Sequence, residues 1–186
     1  MKASVYIATS LDGFIARPDG ALDWLPGAEG DNAGIETPEG EDYGYQEFMD
    51  SVDGLVMGRN TFEVVLGFGG EWPYGQKRVF VLSRRPVDIP DSIAGSVEWL
   101  TGSPREVIDQ LTERGLTHLY VDGGLTIQGF LAEGLIQQLI ITHIPVLIGQ
   151  GIPLFGPVPH DIKLRHIETL SFANGLVQSR YEVVEE

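Results

Sequence analysis

The segment 119–127 (LYVDGGLTI) carries the clearest chemical signal, because a short apolar run ends in two glycines and a helix-compatible stretch follows at once. This order places free backbone N–H groups at a helix N-terminus, where the helix dipole favours an anion. Gly123 and Gly124 can adopt φ > 0 there and let a phosphate approach the backbone without meeting a Cβ. A tight strand-to-helix turn that binds nothing is the alternative, and the segment alone fits both interpretations.

Two more polar groups follow apolar runs, at 57–61 (MGRNT) and at 82–86 (LSRRP). Glycine N–H groups suit a pyrophosphate, a threonine hydroxyl can donate to it, and an arginine can form charge-assisted hydrogen bonds. A serine beside arginines suits a phosphomonoester such as the 2′-phosphate of NADPH, although two adjacent arginines also fit a solvated turn. Ligands of open α/β sheets bind beyond the carboxyl ends of the strands, so the three groups are expected to face one crevice. The residues predicted to hold the phosphates are Gly58, Arg59, Thr61, Ser83, Arg84, Gly123, Gly124, Leu125 and Thr126.

The elements that must position these groups alternate between strands and helices. Asn60 is expected to cap the second helix, and Ser103 with Glu106 forms a capping box for the third. The pattern predicts one α/β domain over residues 1–186, with a mostly parallel sheet and an antiparallel edge. The predicted strands are 3–8, 54–57, 77–83, 118–121, 138–143 and a terminal hairpin of 163–172 and 176–184, and the predicted helices are 45–52, 60–66, 104–114 and 125–133.

Residues 26–44 interrupt this alternation. Glycines and prolines recur through the segment, and positions 29, 31, 36, 39, 41 and 42 are acidic. The segment is therefore expected to be a mobile acidic loop and a candidate lid over the site.

The composition narrows the class of ligand and the cellular setting. The chain of 186 residues has 27 acidic and 12 basic side chains, which give a formal net charge of −15. Such a field repels nucleic-acid phosphates and anionic lipid, so neither is expected as a partner. Cysteine is absent, the 4 histidines lack metal-ligand spacing, and no apolar run reaches the roughly 18–20 residues that span a bilayer. We expect a cytoplasmic protein that holds no metal and acts on a small molecule.

Five stretches, in this order, resemble the dihydrofolate reductase-like superfamily: 6–16 (YIATSLDGFIA), 56–63 (VMGRNTFE), 81–84 (VLSR), 121–124 (VDGG) and 142–149 (THIPVLIG). The sequence is most similar to the reductase domain of bifunctional riboflavin-biosynthesis deaminase–reductases and its stand-alone relatives. The resemblance implies an α/β three-layer sandwich with an eight-stranded, mainly parallel sheet, helices on both faces and a C-terminal antiparallel hairpin. It also implies that NADPH binds with its nicotinamide near Ala8 and the loop 144–151.

The same resemblance implies an NADPH-dependent reductase similar to 5-amino-6-(5-phosphoribosylamino)uracil reductase, acting on a pteridine- or pyrimidine-like molecule. Dihydrofolate reductase activity and a non-catalytic nucleotide-binding module are the alternatives. The sequence shows no clear cluster of bases that would grip a substrate phosphate. Spacing fixes no catalytic residue; the candidates are Asp12, which also fits a simple turn, and the acids Asp42 and Glu47 near the first predicted helix.

A homodimer is expected as well, since this branch of the family usually pairs. The apolar run 135–141 and the terminal hairpin offer suitable surface. Burial of that run inside the monomer accounts for its hydrophobicity equally well.

Overall fold

The computed structural model describes residues 1–28 and 30–184, in which ten β-strands and four α-helices are formed. The strands are β1 Lys2–Ser10, β2 Phe14–Ala16, β3 Gly54–Gly58, β4 Arg78–Leu82, β5 Val97–Leu100, β6 His118–Asp122, β7 Gln138–Ile144, β8 Ile152–Pro153, β9 Leu164–Ser171 and β10 Val177–Val183. The helices are α1 Tyr45–Ser51, α2 Arg59–Gly67, α3 Pro104–Glu113 and α4 Gly124–Ala132. Within the described ranges, no helix combines the length and the apolar character needed to cross a membrane.

Eight of the strands form one sheet in the order β5-β4-β3-β6-β1-β7-β10-β9. The strands from β5 to β7 in this order are parallel to their neighbours, whereas β10 runs antiparallel to both β7 and β9. The short strands β2 and β8 pair with each other in a second, two-stranded sheet. The predicted mainly parallel sheet with a C-terminal antiparallel hairpin is therefore confirmed.

Helices cover both faces of the large sheet because strand side chains alternate between the faces. On β6, Val121 points into the cluster with α3 and α4, and its neighbour Tyr120 points into the cluster with α1 and α2. The buried helix residues that fill these clusters are Phe48, Met49 and Phe62 on one face and Val107, Leu111, Ile127, Phe130 and Leu131 on the other. The result is a three-layer arrangement.

Local signals set most helix boundaries, with one error. The capping box of α3 is confirmed, because the Ser103 side chain accepts from the backbone N–H of Glu106 and the Glu106 carboxylate accepts from the Ser103 N–H. The prediction that Asn60 caps α2 is wrong, since the helix already begins at Arg59 and Gly58 is its N-cap. Strand β5 was not predicted, because it spans only four residues and the middle two are exposed.

The apolar run 135–141 lies inside the monomer. Leu135, Ile136, Leu139, Ile140 and Ile141 are all buried. Burial in the core thus accounts for the hydrophobicity of this run, and it supplies no surface for a dimer. Strand β9, at the edge of the sheet, is exposed along its whole length.

The acidic segment 26–44 contains no helix or strand among its described residues, and Glu29 lies outside them. Asn32 Nδ2 donates to the Asp23 carboxylate at 3.0 Å, and Asn174 Nδ2 donates to the Glu36 carbonyl at 3.1 Å. Ile35 packs in a cluster with buried Trp24. These contacts hold the segment against the hairpin turn, and its function as a lid stays a prediction.

Candidate functional site

Two helix N-termini lie at the carboxyl ends of neighbouring strands. β3 leads directly into α2 and β6 into α4, and the two strands are adjacent and parallel. The N-cap residues are Gly58 for α2 and Gly123 for α4, and glycine has no side chain that could accept a hydrogen bond from the helix. The first backbone N–H groups of two nine-residue helices are therefore unsatisfied by the helices themselves. The positive end of each helix dipole favours an anion there.

The two turns approach each other so closely that glycine is required in both. A Cβ on Gly58 would lie 2.8 Å from Thr126 Oγ1, and a Cβ on Gly123 would collide with Thr61 Oγ1. Gly123 also has a φ of 91°, a conformation that L side chains rarely adopt. Each glycine thus faces the threonine of the opposite helix. Four of the residues predicted to hold the phosphates lie together as a result.

Gly124 differs from Gly123 in what it contacts. Its φ is outside the left-handed region, and an added Cβ would meet Ile15 Cδ1 at 2.9 Å and the Pro153 carbonyl at 3.4 Å. The space beside Gly123 is taken by Thr61 Oγ1, and the space beside Gly124 is taken by Ile15 and the Pro153 carbonyl. The expectation that the two glycines make room for a phosphate stays a prediction. The Gly123 N–H is already engaged, because it donates to Asp122 Oδ1 at 2.8 Å. The backbone N–H groups that remain at the start of α4 are those of Gly124, Leu125 and Thr126.

Arginines lie at the carboxyl ends of β3 and β4. Arg59 begins α2, and its Nε donates to the Glu63 carboxylate at 2.6 Å. Ser83 shapes the turn after β4, because its Oγ accepts from the Arg85 N–H at 3.1 Å and its carbonyl accepts from Trp99 Nε1 at 2.9 Å. Arg84 is exposed on this turn and forms no ion pair with the described part of the chain. A phosphate could therefore engage Arg84 directly, whereas Arg59 already donates its Nε–H to Glu63 and would have only its terminal nitrogens to offer.

The pairing of β1 with β6 stops short of their carboxyl ends, which indicates an opening between the two strands there. β1 pairs with β7 as far as Ser10 and Ile144, but its register with β6 ends at Ser4 and Tyr120. Beyond that point Tyr120 Oη donates to the Tyr6 carbonyl at 2.8 Å. Separated strands at the centre of a parallel sheet form the kind of crevice in which ligands bind.

The predicted nicotinamide residue, Ala8, lies on the β1 side of this opening. It packs in one cluster with Trp24 and Ile144. Trp24 is 1% exposed, and its Nε1 has no hydrogen-bond partner among the described residues. A buried donor without a partner is costly for the folded chain unless a bound molecule accepts from it.

Asp12 ties two loops together beside Ala8. Its carboxylate accepts from the Gly149 N–H at 2.8 Å and the Ile148 N–H at 3.3 Å. A hydrogen bond from the Ser10 side chain, followed by these backbone bonds, lowers the pKa of Asp12. Asp12 is thus a positioning residue for the loop 144–151 in this structure, and a catalytic role for it stays a prediction.

The other two candidate acids are engaged near α1. Asp42 accepts from the Gly44 N–H at 2.9 Å and the Gln46 N–H at 3.0 Å, and these backbone hydrogen bonds lower its pKa. Glu47 lines a groove of about 570 Å³ between α1 and the hairpin of β9 and β10. Among the described residues, no hydrogen bond or ion pair joins either carboxylate to Ala8 or to the turns at Gly58 and Gly123.

Asp122 is the carboxylate that sequence reasoning missed. It ends β6, one position beyond buried Val121, and alternation along the strand places it on the face of Tyr120. Burial raises the pKa of Asp122 to about 6, and only the hydrogen bond from Gly123 opposes this. Such a perturbation indicates a functional-site candidate. The sequence does contain a signal for Asp122, because it places an acidic residue between a buried strand and the glycine pair.

The charge of Asp122 acts on three tyrosines. Burial raises the pKa of Tyr45 to about 12, and the charge of Asp122 contributes to that shift. The same charge acts on Tyr74 and Tyr120. Tyr45 contacts Tyr6 with ring centroids 5.5 Å apart, and Tyr74 contacts Trp72 at 5.1 Å. The charge of Asp122 thus disfavours ionisation of all three tyrosines.

The described residues contain no group of three or more histidine, cysteine or acidic side chains arranged to hold a metal ion. The expectation that the protein holds no metal stays a prediction.

Comparisons with known proteins agree with the fold and with the family that the motifs indicate. Residues 2–178 match the family described as the RibD C-terminal domain. The Bacillus subtilis (strain 168) protein YwjB is 34% identical over 181 residues, which cover 97% of each chain.

Comparison with solved structures also agrees with this fold. A protein from Shewanella sp. PV-4 that bears a provisional riboflavin-biosynthesis name is 40% identical, with a TM-score of 0.91 over 100% of both chains. Dihydrofolate reductase from Enterococcus faecalis, solved with NADP(H), is 16% identical, with a TM-score of 0.66 over 99% of this chain and 97% of the other. At that identity the likeness establishes the dihydrofolate reductase-like fold alone.

Proposed function

Because the chain belongs to the RibD C-terminal domain family, whose domains are reductase-like, we propose that it is an NADPH-dependent reductase of a pteridine- or pyrimidine-like small molecule. The observation that carries the proposal is the meeting of two uncapped helix N-termini across Gly58 and Gly123. A single anion-binding helix end is common, whereas two that share one space suit a pyrophosphate.

The residues present fit the cofactor. The N–H groups that begin α2 and α4 would hold the pyrophosphate, together with the hydroxyls of Thr61 and Thr126. Arg84, with Ser83 shaping its turn and Arg59 nearby on α2, would hold the 2′-phosphate that distinguishes NADPH from NADH. The unpartnered Nε1 of Trp24, beside Ala8, would donate to a group bound in the opening between β1 and β6.

The chemistry is the cofactor's, and the chain orients the reactants and supplies the proton. When bound, NADPH supplies a hydride to the carbon of a C=N bond whose nitrogen takes up a proton, so that an amine and NADP⁺ result. Asp122 would hold that proton, since a carboxyl with a pKa of about 6 is protonated often enough near neutral pH to donate. The rings of Tyr45 and Tyr74 would exclude water from the reacting atoms.

Two other functions are less well supported. Dihydrofolate reductase activity calls for an acid on the first helix that reaches the substrate. Here the Asp42 carboxylate accepts from the backbone N–H groups of Gly44 and Gln46, and Glu47 lines the groove toward the hairpin. A non-catalytic nucleotide-binding module would bind NADPH and leave it unoxidised. We would titrate NADPH by fluorescence and then follow its oxidation with pterins, dihydrofolate and ribityl-aminopyrimidines. Binding without oxidation by any of them favours the module, and absence of binding refutes the proposal.

The remaining parts of the proposal concern organisation. Residues 1–186 would act as one domain in the cytoplasm, without nucleic acid, membrane or metal. A homodimer would use the exposed strand β9, where Leu164, Ile167 and Leu170 are each more than 40% exposed. Light scattering that gives the mass of one chain at micromolar concentration would reject the dimer.

A further inference from the structure

Residues 33–41, here called the strap, are mostly exposed and make few bonds to the rest of the chain. The chain is fixed on both sides of the strap, because Asn32 Nδ2 donates to the Asp23 carboxylate at 3.0 Å and the Gln46 N–H donates to the Asp42 carboxylate at 3.0 Å. Among the described residues, only one hydrogen bond joins the strap to a residue distant in sequence. A segment held so sparsely can open locally while the rest of the fold stays intact.

That one bond comes from Asn174, in the turn of the β9–β10 hairpin. Its Nδ2 donates to the Glu36 carbonyl of the strap at 3.1 Å and to Tyr43 Oη at 2.8 Å, so both amide hydrogens are used. The turn depends little on this side chain, since Asn174 Oδ1 lies 3.5 Å from the Leu176 nitrogen while the Gly175 N–H donates to the Phe172 carbonyl at 2.9 Å. The Asn174 amide thus serves the strap.

Tyr43 gives the Asn174 amide a fixed point to bind. Its φ is 58°, and it is the only described residue other than glycine with a positive φ. Such a conformation persists where surrounding contacts hold it. Here the Tyr43 carbonyl accepts from Tyr6 Oη at 2.9 Å and from Gln178 Nε2 at 3.1 Å, and the ring contacts Phe172 with centroids 4.8 Å apart. These contacts tie Tyr43 to β1, to β10 and to the residue that follows β9.

The strap covers the cluster that contains Trp24. Ile35 of the strap and Tyr43 both pack in this cluster, in which Trp24 is 1% exposed and its Nε1 has no partner among the described residues. The strap itself carries three carboxylates and no base, so charge repulsion within it opposes the closed form. Departure of Ile35 would remove one wall of the cluster around Trp24.

We propose that the Asn174 amide is a clasp that holds the strap over Trp24, and that release of this clasp opens the strap and exposes the Trp24 indole. The open form lets a bound molecule supply the acceptor that Trp24 Nε1 lacks. The closed form keeps water away from the cluster that Trp24 shares with Ala8.

Cleavage by a glutamate-specific endoprotease measures the opening on the full chain, because cleavage after Glu36 requires that its carbonyl leave Asn174. Asn174→Ala and Asn174→Asp each remove both amide donors and should raise the rate of cleavage after Glu36 about tenfold or more. Tyr43→Phe removes one of the two bonds and should raise this rate less. Tyr181→Phe, which removes a tyrosine hydroxyl on β10, should leave the rate unchanged. An equal rise after Glu106, in α3, would show global unfolding and overturn the inference.

Quenching by acrylamide shows whether the strap covers Trp24. Trp72→Phe with Trp99→Phe leaves Trp24 as the only tryptophan, and its fluorescence should be quenched weakly in this background. Adding Asn174→Ala should raise the quenching constant at least about threefold. Faster cleavage without stronger quenching would show that the strap opens away from Trp24, and no change in either would show that Asn174 is not a clasp. Both results would overturn the inference, and neither measurement involves NADPH, so the proposed reductase function is tested separately.

Discussion

Replacement of Asp122 by asparagine should make the protein more stable at neutral pH. Burial raises the pKa of this carboxyl from 3.8 in the unfolded chain to about 6 in the folded one. Below pH 3.8 the Asp122 carboxyl is protonated in both the folded and the unfolded chain, so it does not change the free energy of unfolding. As the pH rises the unfolded chain loses its proton first, so the folded state loses stability until the pH passes about 6. Asparagine cannot ionise, and its Oδ1 can still accept from the Gly123 N–H.

The size of the effect follows from the two pKa values. One pKa unit corresponds to about 1.4 kcal/mol, so the ionised carboxylate destabilises the folded protein by about 3 kcal/mol above pH 6. At pH 5 only about half of that difference has developed. For a chain of this length, about 3 kcal/mol corresponds to an increase in Tm of roughly 6–12 °C.

Urea unfolding of the wild type and of Asp122→Asn measures the difference in their free energy of unfolding at pH 8 and at pH 5. Comparing the variants at one pH cancels the titration of all other groups. Asp109→Asn, on the exposed side of α3, should leave the free energy of unfolding unchanged within about 0.5 kcal/mol. Two results would contradict a raised pKa of Asp122. One is an Asp122→Asn protein that is less stable than the wild type at pH 8, and the other is a gain in the free energy of unfolding that is the same at both pH values.

Three further predictions concern the cofactor side. Arg84→Ala should weaken NADPH binding roughly tenfold or more while leaving NADH binding unchanged, because charge-assisted contacts to a phosphate contribute about 1.5–3 kcal/mol each; equal affinity of the wild type for both cofactors in isothermal titration would contradict this. Glu63→Gln should strengthen NADPH binding by releasing Arg59 from its ion pair, and the gain should vanish in the Arg59→Ala background. Gly124→Val should lower Tm, because its side chain would meet Ile15 and the Pro153 carbonyl; an unchanged Tm with selective loss of NADPH binding would support the phosphate role of Gly124.

The meeting of the two glycine turns could be predicted because glycine signals backbone requirements directly in sequence. The stretches around Gly58 and Gly123 each follow an apolar run and precede a helical pattern, and the structure brings them together at adjacent strands. The sequence could not distinguish Gly123 from Gly124, because that distinction depends on Ile15 and Pro153, which reach Gly124 from distant parts of the chain.

The proposed catalytic carboxylate could not be predicted in the same way. Asp42 and Glu47 were candidates because they lie near a predicted helix. In the structure, backbone hydrogen bonds engage Asp42, and Glu47 lines the groove between α1 and the hairpin of β9 and β10. Asp122 stands out only after folding, when burial removes water from a carboxyl that no cation compensates. The chemistry of an acid depends on its surroundings, and those are assembled from segments far apart in sequence.

The N-termini of α2 and α4 depart from the capping rules that α3 obeys. α3 has Ser103 at its N-cap, proline after it and the reciprocal bond from Glu106. A serine or asparagine cap at Gly58 or Gly123 would contribute about 1 kcal/mol to stability. Both positions exclude one, since any side chain there would meet the threonine of the opposite helix. The close approach of the two turns therefore excludes two side-chain caps, and the first N–H groups of both helices have no partner among the described residues. An anionic ligand would complete this arrangement.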